Sequence, residues 1–352
     1  MTSSGFHDQP FEESTLTKLR IFEMYAKAWV PVFVARPQPS VSSLHVYDFM
    51  AGPGKDAAGN AGTPLRLLRQ LRNYRGQPGW RKITVHLHLF DSSRRNIQLL
   101  DRALADEDKG GITVTTAVKE FKEAFDEAGA VIEDPRASKL VLIDQFGVSA
   151  VTDDVFARLV GAPKCDFLFF ISSQTLHRFR DHPSIRQKIT RPDDPHHVHL
   201  AVTEYYKCRL PAGSDYYLGR FSLKKESGNI HGLIFGSGHP LGMKKFLDVA
   251  WAEDRDRGEA NFDIDRENVG PLLSFLPVRK IEVFEGALEE ALLTGRAKCE
   301  RDVLRLCFDH GILPKLAASV LQKLKKSGVI DFSFRSPQHD QNRPITRATQ
   351  LP

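Results

Sequence analysis

The segment Leu44-His45-Val46-Tyr47-Asp48-Phe49-Met50-Ala51-Gly52-Pro53-Gly54 constrains the fold more than any other part of the chain. It reads as a buried strand that ends in an acid and breaks into a glycine-rich turn. Gly52 and Gly54 lack a Cβ, so the backbone there can take positive φ and come close to a ligand. Asp48, at the strand's carboxyl end, can accept hydrogen bonds from an ammonium or a hydroxyl. After the turn, Thr63 is placed as an N-cap and Pro64 as the first residue of a helix over Leu65 to Leu71. Strand, long glycine loop and helix together predict a ligand pocket.

The same alternation continues along the chain. Strands are expected at Ile83 to Phe90, just before Asp91, and at Ile112 to Thr116, Leu140 to Ile143 and Asp166 to Ile171. Helices are expected between them at Ser93 to Ala105, Lys119 to Ala128 and Asp153 to Leu159, after an N-terminal helix over about residues 15 to 34. This pattern predicts an α/β fold, a Rossmann-like parallel sheet with helices on both faces. The near-continuous apolar content of the fourth and fifth strands fits central positions, where both faces are covered. Tyr216 to Lys224 and Ile230 to Phe235 suit an antiparallel pair closing the sheet, followed by a helix from Gly242 to Trp251. Between them and the fifth strand, about 173–215, lies a looser segment with His182, His196, His197 and His199, expected as a helical or looped insertion.

This places a first domain at 1–255. A charged stretch opens a linker with connecting helices at 256–290. Over 291–337 a helix from Arg296 to His310, a turn at Gly311, a helix opened by Pro314 and the strand-like Val329 to Phe334 have the outline of a winged helix. Residues 338–352 read as a polar, mobile tail.

Composition excludes several classes. Of 352 residues, 41% are apolar and 26% charged, which rules out disorder as the dominant state. The apolar runs are too short to span a bilayer and the N-terminus lacks an apolar signal core, so a cytoplasmic protein without a membrane anchor is expected. The four cysteines show no C-x-x-C spacing, which argues against a zinc ribbon or a disulfide framework. A net charge of +5 tolerates a nucleic-acid partner without demanding one.

Asp48, Asp91 and Asp144 all fall at or beside carboxyl ends of expected strands, where open α/β sheets bind ligands. In Rossmann-like methyltransferases the glycine turn approaches the methionine and adenosine of S-adenosylmethionine, and an acid ending the second strand grips the ribose hydroxyls. Asp91 sits where that acid is needed, although acids and glycines after strands are also plain turn chemistry. Gly52-Pro53-Gly54-Lys55-Asp56-Ala57 formally matches the dinucleotide fingerprint. The helix, however, waits until Pro64, and Asp91 comes much later than the roughly 20 residues that fingerprint needs. The cofactor-binding set is therefore Asp48, Ala51, Gly52, Pro53, Gly54 and Asp91. No metal site is expected: His197 and His199 are two apart, but a polar histidine-bearing loop is more often solvated surface. Phe235-Gly236-Ser237-Gly238-His239 lacks the frame of a nucleophilic serine. In the C-terminal segment Lys315, Lys323 and Lys326 are placed to meet phosphates, with Ser319 and Gln322 reading base edges. A protein-contact or dimerisation module accounts for the same helix equally well.

These residues resemble the three-Cys-motif partner protein family, TcmP, over most of the chain. The matching features are Lys18, Tyr25 and Trp29 in the N-terminal helix, the Asp48-x-x-Ala51-Gly52-Pro53-Gly54 turn with Gly62-Thr63-Pro64, and Asp91. Asp144-Gln145-Phe146-Gly147, Phe169-Phe170-Ile171-Ser172, Leu233-Ile234-Phe235-Gly236-Ser237 and a C-terminal winged helix complete the pattern. Two positions depart from it: Gln145 stands where the family usually has proline, and Asp91 where it commonly has glutamate, which shortens the reach. The resemblance implies an S-adenosylmethionine-dependent methyltransferase that works with a three-cysteine partner similar to radical S-adenosylmethionine proteins. Asp144, Gln145 and Phe146 would be its catalytic segment, by analogy with nucleic-acid enzymes that methylate amino groups. There an acid or amide accepts a hydrogen bond from the target nitrogen and an aromatic stacks on the base, so DNA or RNA would be the substrate, unstacked or single-stranded. Asp144 capping a turn and Phe146 packing is the plainer alternative. A catalytically silent partner and a DNA-binding regulator are the rival functions.

Overall fold

The computed structural model describes residues 10–144, 150–172, 198–224, 230–261, 280–337 and 341–347. Its main sheet holds β1 (Ser43–Asp48), β2 (Thr84–Asp91), β3 (Thr113–Val118), β4 (Ala137–Ile143), β5 (Cys165–Ser172), β6 (Tyr217–Lys224) and β7 (Ile230–Ser237). The strand order is β3-β2-β1-β4-β5-β7-β6. The first five strands pair in parallel, and β7 runs antiparallel to both β5 and β6. The chain builds β1 to β3 toward one edge and then crosses back to lay β4 beside β1, so the winding direction reverses between β1 and β4. That reversal opens a crevice at the strands' carboxyl ends. This is the Rossmann-like α/β sheet with antiparallel closing strands that the alternation predicts.

Period-two alternation sends each strand's side chains to opposite faces. Leu44, Val46, Leu87, Leu89, Leu140, Leu142, Leu168 and Phe170 share a core with α1 (Glu13–Trp29), α2 (Pro31–Val34), α3 (Thr63–Arg72) and α4 (Arg94–Ala105). Tyr47, Phe49, Val141, Ile143, Phe167 and Phe169 face the other way. They pack against α5 (Phe121–Glu127), α6 (Gly129–Ile132), α7 (Asp153–Gly161) and α8 (Val198–Lys207). The helix α9 (Pro240–Glu253) returns to the first face, where Phe246 stacks on Phe235 with ring centroids 4.6 Å apart. Among the described residues no helix is long and apolar enough to cross a membrane.

β4 is buried at all seven positions and starts three residues before the apolar run that announces it. Lys139 hides that start, being a buried lysine. Its ammonium donates to the carbonyls of Asp134 (3.0 Å), Ala137 (3.1 Å) and Pro163, which compensates for leaving water. The start of α3 also differs from expectation. Gly62, rather than Thr63, is the N-cap, and no side chain caps the helix. The Gly62 N–H is already committed to the Gly54 carbonyl at 2.8 Å, which fixes where the chain leaves the loop.

Tyr25 of α1 is fully buried and donates to Asp166 at 2.6 Å, a bond that spans 141 residues of chain. Burial pushes the Asp166 carboxyl up to about 6, while hydrogen bonds from Ser237, Tyr25 and Trp29 pull it back. Tyr25→Phe is expected to cost about 2 kcal/mol in urea unfolding, the range for a buried hydrogen bond to a charged group. A change below about 0.5 kcal/mol would mean the hydroxyl is not holding α1 to the sheet.

In the segment expected as an insertion, residues 173–197 lie outside the described residues, and 198–207 form α8. The segment expected as a linker is described in two parts. Ala260 bridges to Ser222 of β6, and α10 (Lys280–Thr294) begins within the same expected segment. The helices α11 (Glu300–Asp309) and α12 (Pro314–Lys326) follow, then β8 (Ile330–Phe332) and β9 (Ile345–Arg347). These elements join the core of the first face through Phe284, Leu288, Val303, Cys307 and Leu321. Phe308 meets Tyr217 edge-on at 5.2 Å, and Trp251 donates to the Gly311 carbonyl at 3.0 Å. Residues 341–347, expected as polar tail, are instead built in. β9 pairs antiparallel with β8, and Arg343 bonds the fully buried Glu300 at 2.6 and 2.9 Å.

Candidate active site

The crevice between β1 and β4 gathers the three acids singled out in the sequence. Asp48 ends β1, Asp91 ends β2, and Asp144 follows β4 directly. Their environments differ sharply, although all are aspartates at strand ends.

Asp48 is 1% exposed. One oxygen accepts the Met50 N–H at 3.2 Å, and among the described residues the other, Oδ2, has no partner. Burial pushes this carboxyl up to about 7, with the negative charge of Asp144 adding to the shift. The Met50 bond and the Lys18 ammonium oppose it. A buried carboxylate oxygen left unpaired is costly in a folded chain, and such groups mark places where a ligand supplies the missing donor.

Asp91 is tied up on both oxygens. Oδ2 accepts the Gly52 N–H at 2.9 Å, while Oδ1 accepts the Ser93 N–H at 2.8 Å and the Asn96 amide at 3.1 Å. The acid expected to grip a ribose thus first holds the glycine turn against β2 and starts α4. The turn needs its glycines: Gly52 and Gly54 sit at φ +65° and +82°, in the left-handed region, and a Cβ on Gly54 would stand 2.9 Å from Leu100. The Ala51 N–H bonds the Phe90 carbonyl at 2.8 Å. Asp56 closes the outer loop by accepting from Asn60 and from the Phe11 N–H at 2.9 Å. Ala51 and Gly52 are therefore tied to the end of β2 through the Phe90 carbonyl and Asp91, and Asp48 ends the neighbouring β1.

Asp144 is bonded by Lys18, whose ammonium also lies 5.0 Å from the Phe170 ring centroid. Thus α1 delivers a cation to the acid beyond β4, a contact between residues 126 apart in sequence. Gln145 and Phe146 lie outside the described residues.

The second candidate surface is on α12. Lys315, Ser319, Gln322, Lys323 and Lys326 are all exposed along it. The Ser319 hydroxyl turns back onto its own helix, donating to the Leu316 carbonyl at 2.7 Å, so its donor is spent where a base-reading role would need it. Lys325, not singled out in the sequence, pairs with Asp331 at 2.6 Å and braces β8.

No protein-family model and no curated protein matches the sequence. Solved structures do resemble the fold. A S-adenosylmethionine-dependent methyltransferase from Agrobacterium tumefaciens is 9% identical, covering 66% of this chain and 64% of that one, with a TM-score of 0.36. The O-methyltransferase TomG of Streptomyces achromogenes, solved with S-adenosylmethionine, is 12% identical over 62% of this chain and 78% of its own, with a TM-score of 0.33. Precorrin-6y C5,15-methyltransferase from Geobacter metallireducens is 8% identical over 65% and 93%, also with a TM-score of 0.33. These likenesses are of fold and assign neither ligand nor reaction to this chain.

Proposed function

We infer that the chain is a S-adenosylmethionine-dependent methyltransferase of the cytoplasm, acting on nucleic acid alongside a three-cysteine partner as the resemblance to the TcmP family implies. The observation that supports this reading most strongly is the unpartnered, buried Oδ2 of Asp48 beside a positive-φ glycine turn at the sheet's switch point. Such an oxygen suits an ammonium that enters with a ligand. The residues fit the cofactor: Asp48 would accept from its α-ammonium, and the Gly52 to Gly54 backbone allows close approach. Asp91 holds that backbone in place through the Gly52 N–H. When bound, S-adenosylmethionine supplies a methyl group on a sulfonium, activated for attack.

The acceptor reading rests on the Asp144-Gln145-Phe146 segment and on the exposed lysines of α12. Asp144 would accept a hydrogen bond from an acceptor amine, with Lys18 bonded beside it. A winged helix built from α10 to α12 and the β8–β9 hairpin would set Lys315, Lys323 and Lys326 against phosphates, with affinity that falls as salt rises. The Lys18–Asp144 ion pair also favours a second reading, a silent partner that binds the cofactor without transfer, because it occupies the acid that would orient the nucleophile.

Two measurements separate these. Calorimetry is expected to show one S-adenosylmethionine per chain, weakened about tenfold or more in Asp91→Ala as the Gly52 anchor is lost, and no binding by the intact protein would remove the pocket. Labelled methyl should then transfer to single-stranded DNA or RNA. Binding without transfer to either, tested with the three-cysteine partner present, leaves the silent reading.

A further inference from the structure

A histidine cluster lies outside the crevice. His86 and His88 are two apart on β2 and share a face, and His45 on β1 is the register partner of His86. The donor nitrogens of the three all fall within 4.8 Å of one another. His45 Nδ1 and His88 Nε2 are 3.0 Å apart, and the far nitrogen of His45, Nε2, lies 3.0 Å from the Ser43 hydroxyl. With a proton on Nε2 donated to Ser43, His45 turns the lone pair of Nδ1 toward the other two rings. That is the outer-sphere arrangement that fixes a ligating imidazole.

We propose that His45, His86 and His88 bind one divalent transition-metal ion of the zinc class, with Ser43 orienting His45. Imidazole-only donors favour zinc, nickel, cobalt or copper over magnesium or calcium, which require oxygen. Three imidazoles and an open fourth position complete a tetrahedron. Access comes from the sheet edge: His86 and His88 are half-buried, and Thr113 and Thr115, their register partners on β3, are exposed. The nearby cation, Lys139, is the β4 register partner of His45, and its ammonium is held by three backbone carbonyls. The rings lie parallel to within 2°, in a stack that continues through Tyr47. Stacked rings cannot all aim at one point, so capture requires at least one to rotate about Cβ–Cγ. A plain aromatic ladder would explain the stacking, but phenyl rings would form it without desolvating three polar side chains.

The test uses tag-free, chelator-treated, full-length protein titrated with zinc against a chromogenic chelator, and with cobalt followed by its visible absorption. The expected result is one saturable ion per chain, tetrahedral cobalt bands, and no competition from millimolar magnesium. His88→Ala should weaken zinc by about 100-fold or more, and Ser43→Ala by about tenfold. His86→Phe/His88→Phe keeps the ladder and guards against a variant that fails to fold; it should remain folded by circular dichroism and lose the ion. His239→Ala, at the N-cap of α9, should bind as the native chain does. The chain has thirteen histidines, so ten lie outside the cluster. Equal stoichiometry and affinity in the double phenylalanine variant would assign zinc to those ten and overturn the site, as would the absence of saturable binding.

Discussion

Asp48→Asn is expected to stabilise the ligand-free protein by about 2 kcal/mol at about pH 8 and to abolish S-adenosylmethionine binding. The two effects have one cause. Burial raises the folded-state carboxyl from its ordinary 3.8 to about 7, so between those values the folded chain holds a proton that the unfolded chain has released. Stability therefore falls as pH climbs through that window and stays low above it. A shift of this size corresponds to at most about 4 kcal/mol. Asparagine has the same shape and no charge to bury, and its oxygen can keep the Met50 bond. Its amide would occupy the position of the unpartnered Oδ2 and lack an acceptor, which costs about 1–2 kcal/mol and reduces the net gain. Urea unfolding of both proteins at about pH 4 and about pH 8 should show the variant less stable by about 1–2 kcal/mol in acid, where Asp48 is neutral and only the amide cost remains, and more stable in base. A variant less stable at both values would mean that Asp48 is not held at a cost.

Binding carries the same signature with the opposite outcome. An ammonium entering beside Asp48 favours its ionised form and must displace the proton present below about pH 7. Affinity in the native chain should drop up to about tenfold per pH unit below that value and level off above it. Flat affinity across the range, or undiminished binding in the asparagine variant, would remove Asp48 from the pocket. A residue that weakens the empty fold and is relieved by a ligand is a mark of a functional position.

The strand, acid and glycine turn of the pocket were legible in the sequence because each is local. The pattern Leu44 to Gly54 needs only alternation to show the strand, and two residues without Cβ to show the turn. What was not legible depends on distant partners. Nothing near Asp144 announces that Lys18 will neutralise it, and nothing near Asp91 announces that Gly52 will occupy its oxygen. The polar letters of residues 341–347 concealed β9, whose pairing with β8 is set by Ile345 packing into a core assembled elsewhere. Lys139 disguised the start of β4 because its partners are carbonyls, which have no letter in a sequence. His86 and His88 alternate along the second strand, but they were not singled out in the sequence. Their relation to His45 depends on the register between β1 and β2, which becomes visible only when the sheet is built.

Gly236→Ala is expected to destabilise the protein by about 3 kcal/mol while leaving S-adenosylmethionine affinity unchanged below the melting range. Gly236 lies on β7 opposite Phe167 of β5, and an added Cβ would fall 2.1 Å from Phe167 Cζ and 2.5 and 2.6 Å from its Cε atoms. The ring has no room to retreat, since it is fully buried and bounded by Phe156, Phe169 and Tyr216 at centroid distances of 6.0, 5.5 and 6.1 Å. One methyl group must therefore displace either the ring or the strand, and the neighbouring bond between Asp166 and Ser237 resists movement of the strand. Trimming the ring relieves the clash, so Gly236→Ala/Phe167→Leu should be more stable than the two single effects added together, by about 1–2 kcal/mol. Phe167 sits near the amino end of β5, away from the crevice at the strands' carboxyl ends, and for that reason binding should survive. A cost under about 1 kcal/mol, or strict additivity in the double variant, would show that the aromatic layer yields and that glycine is not required at this crossing.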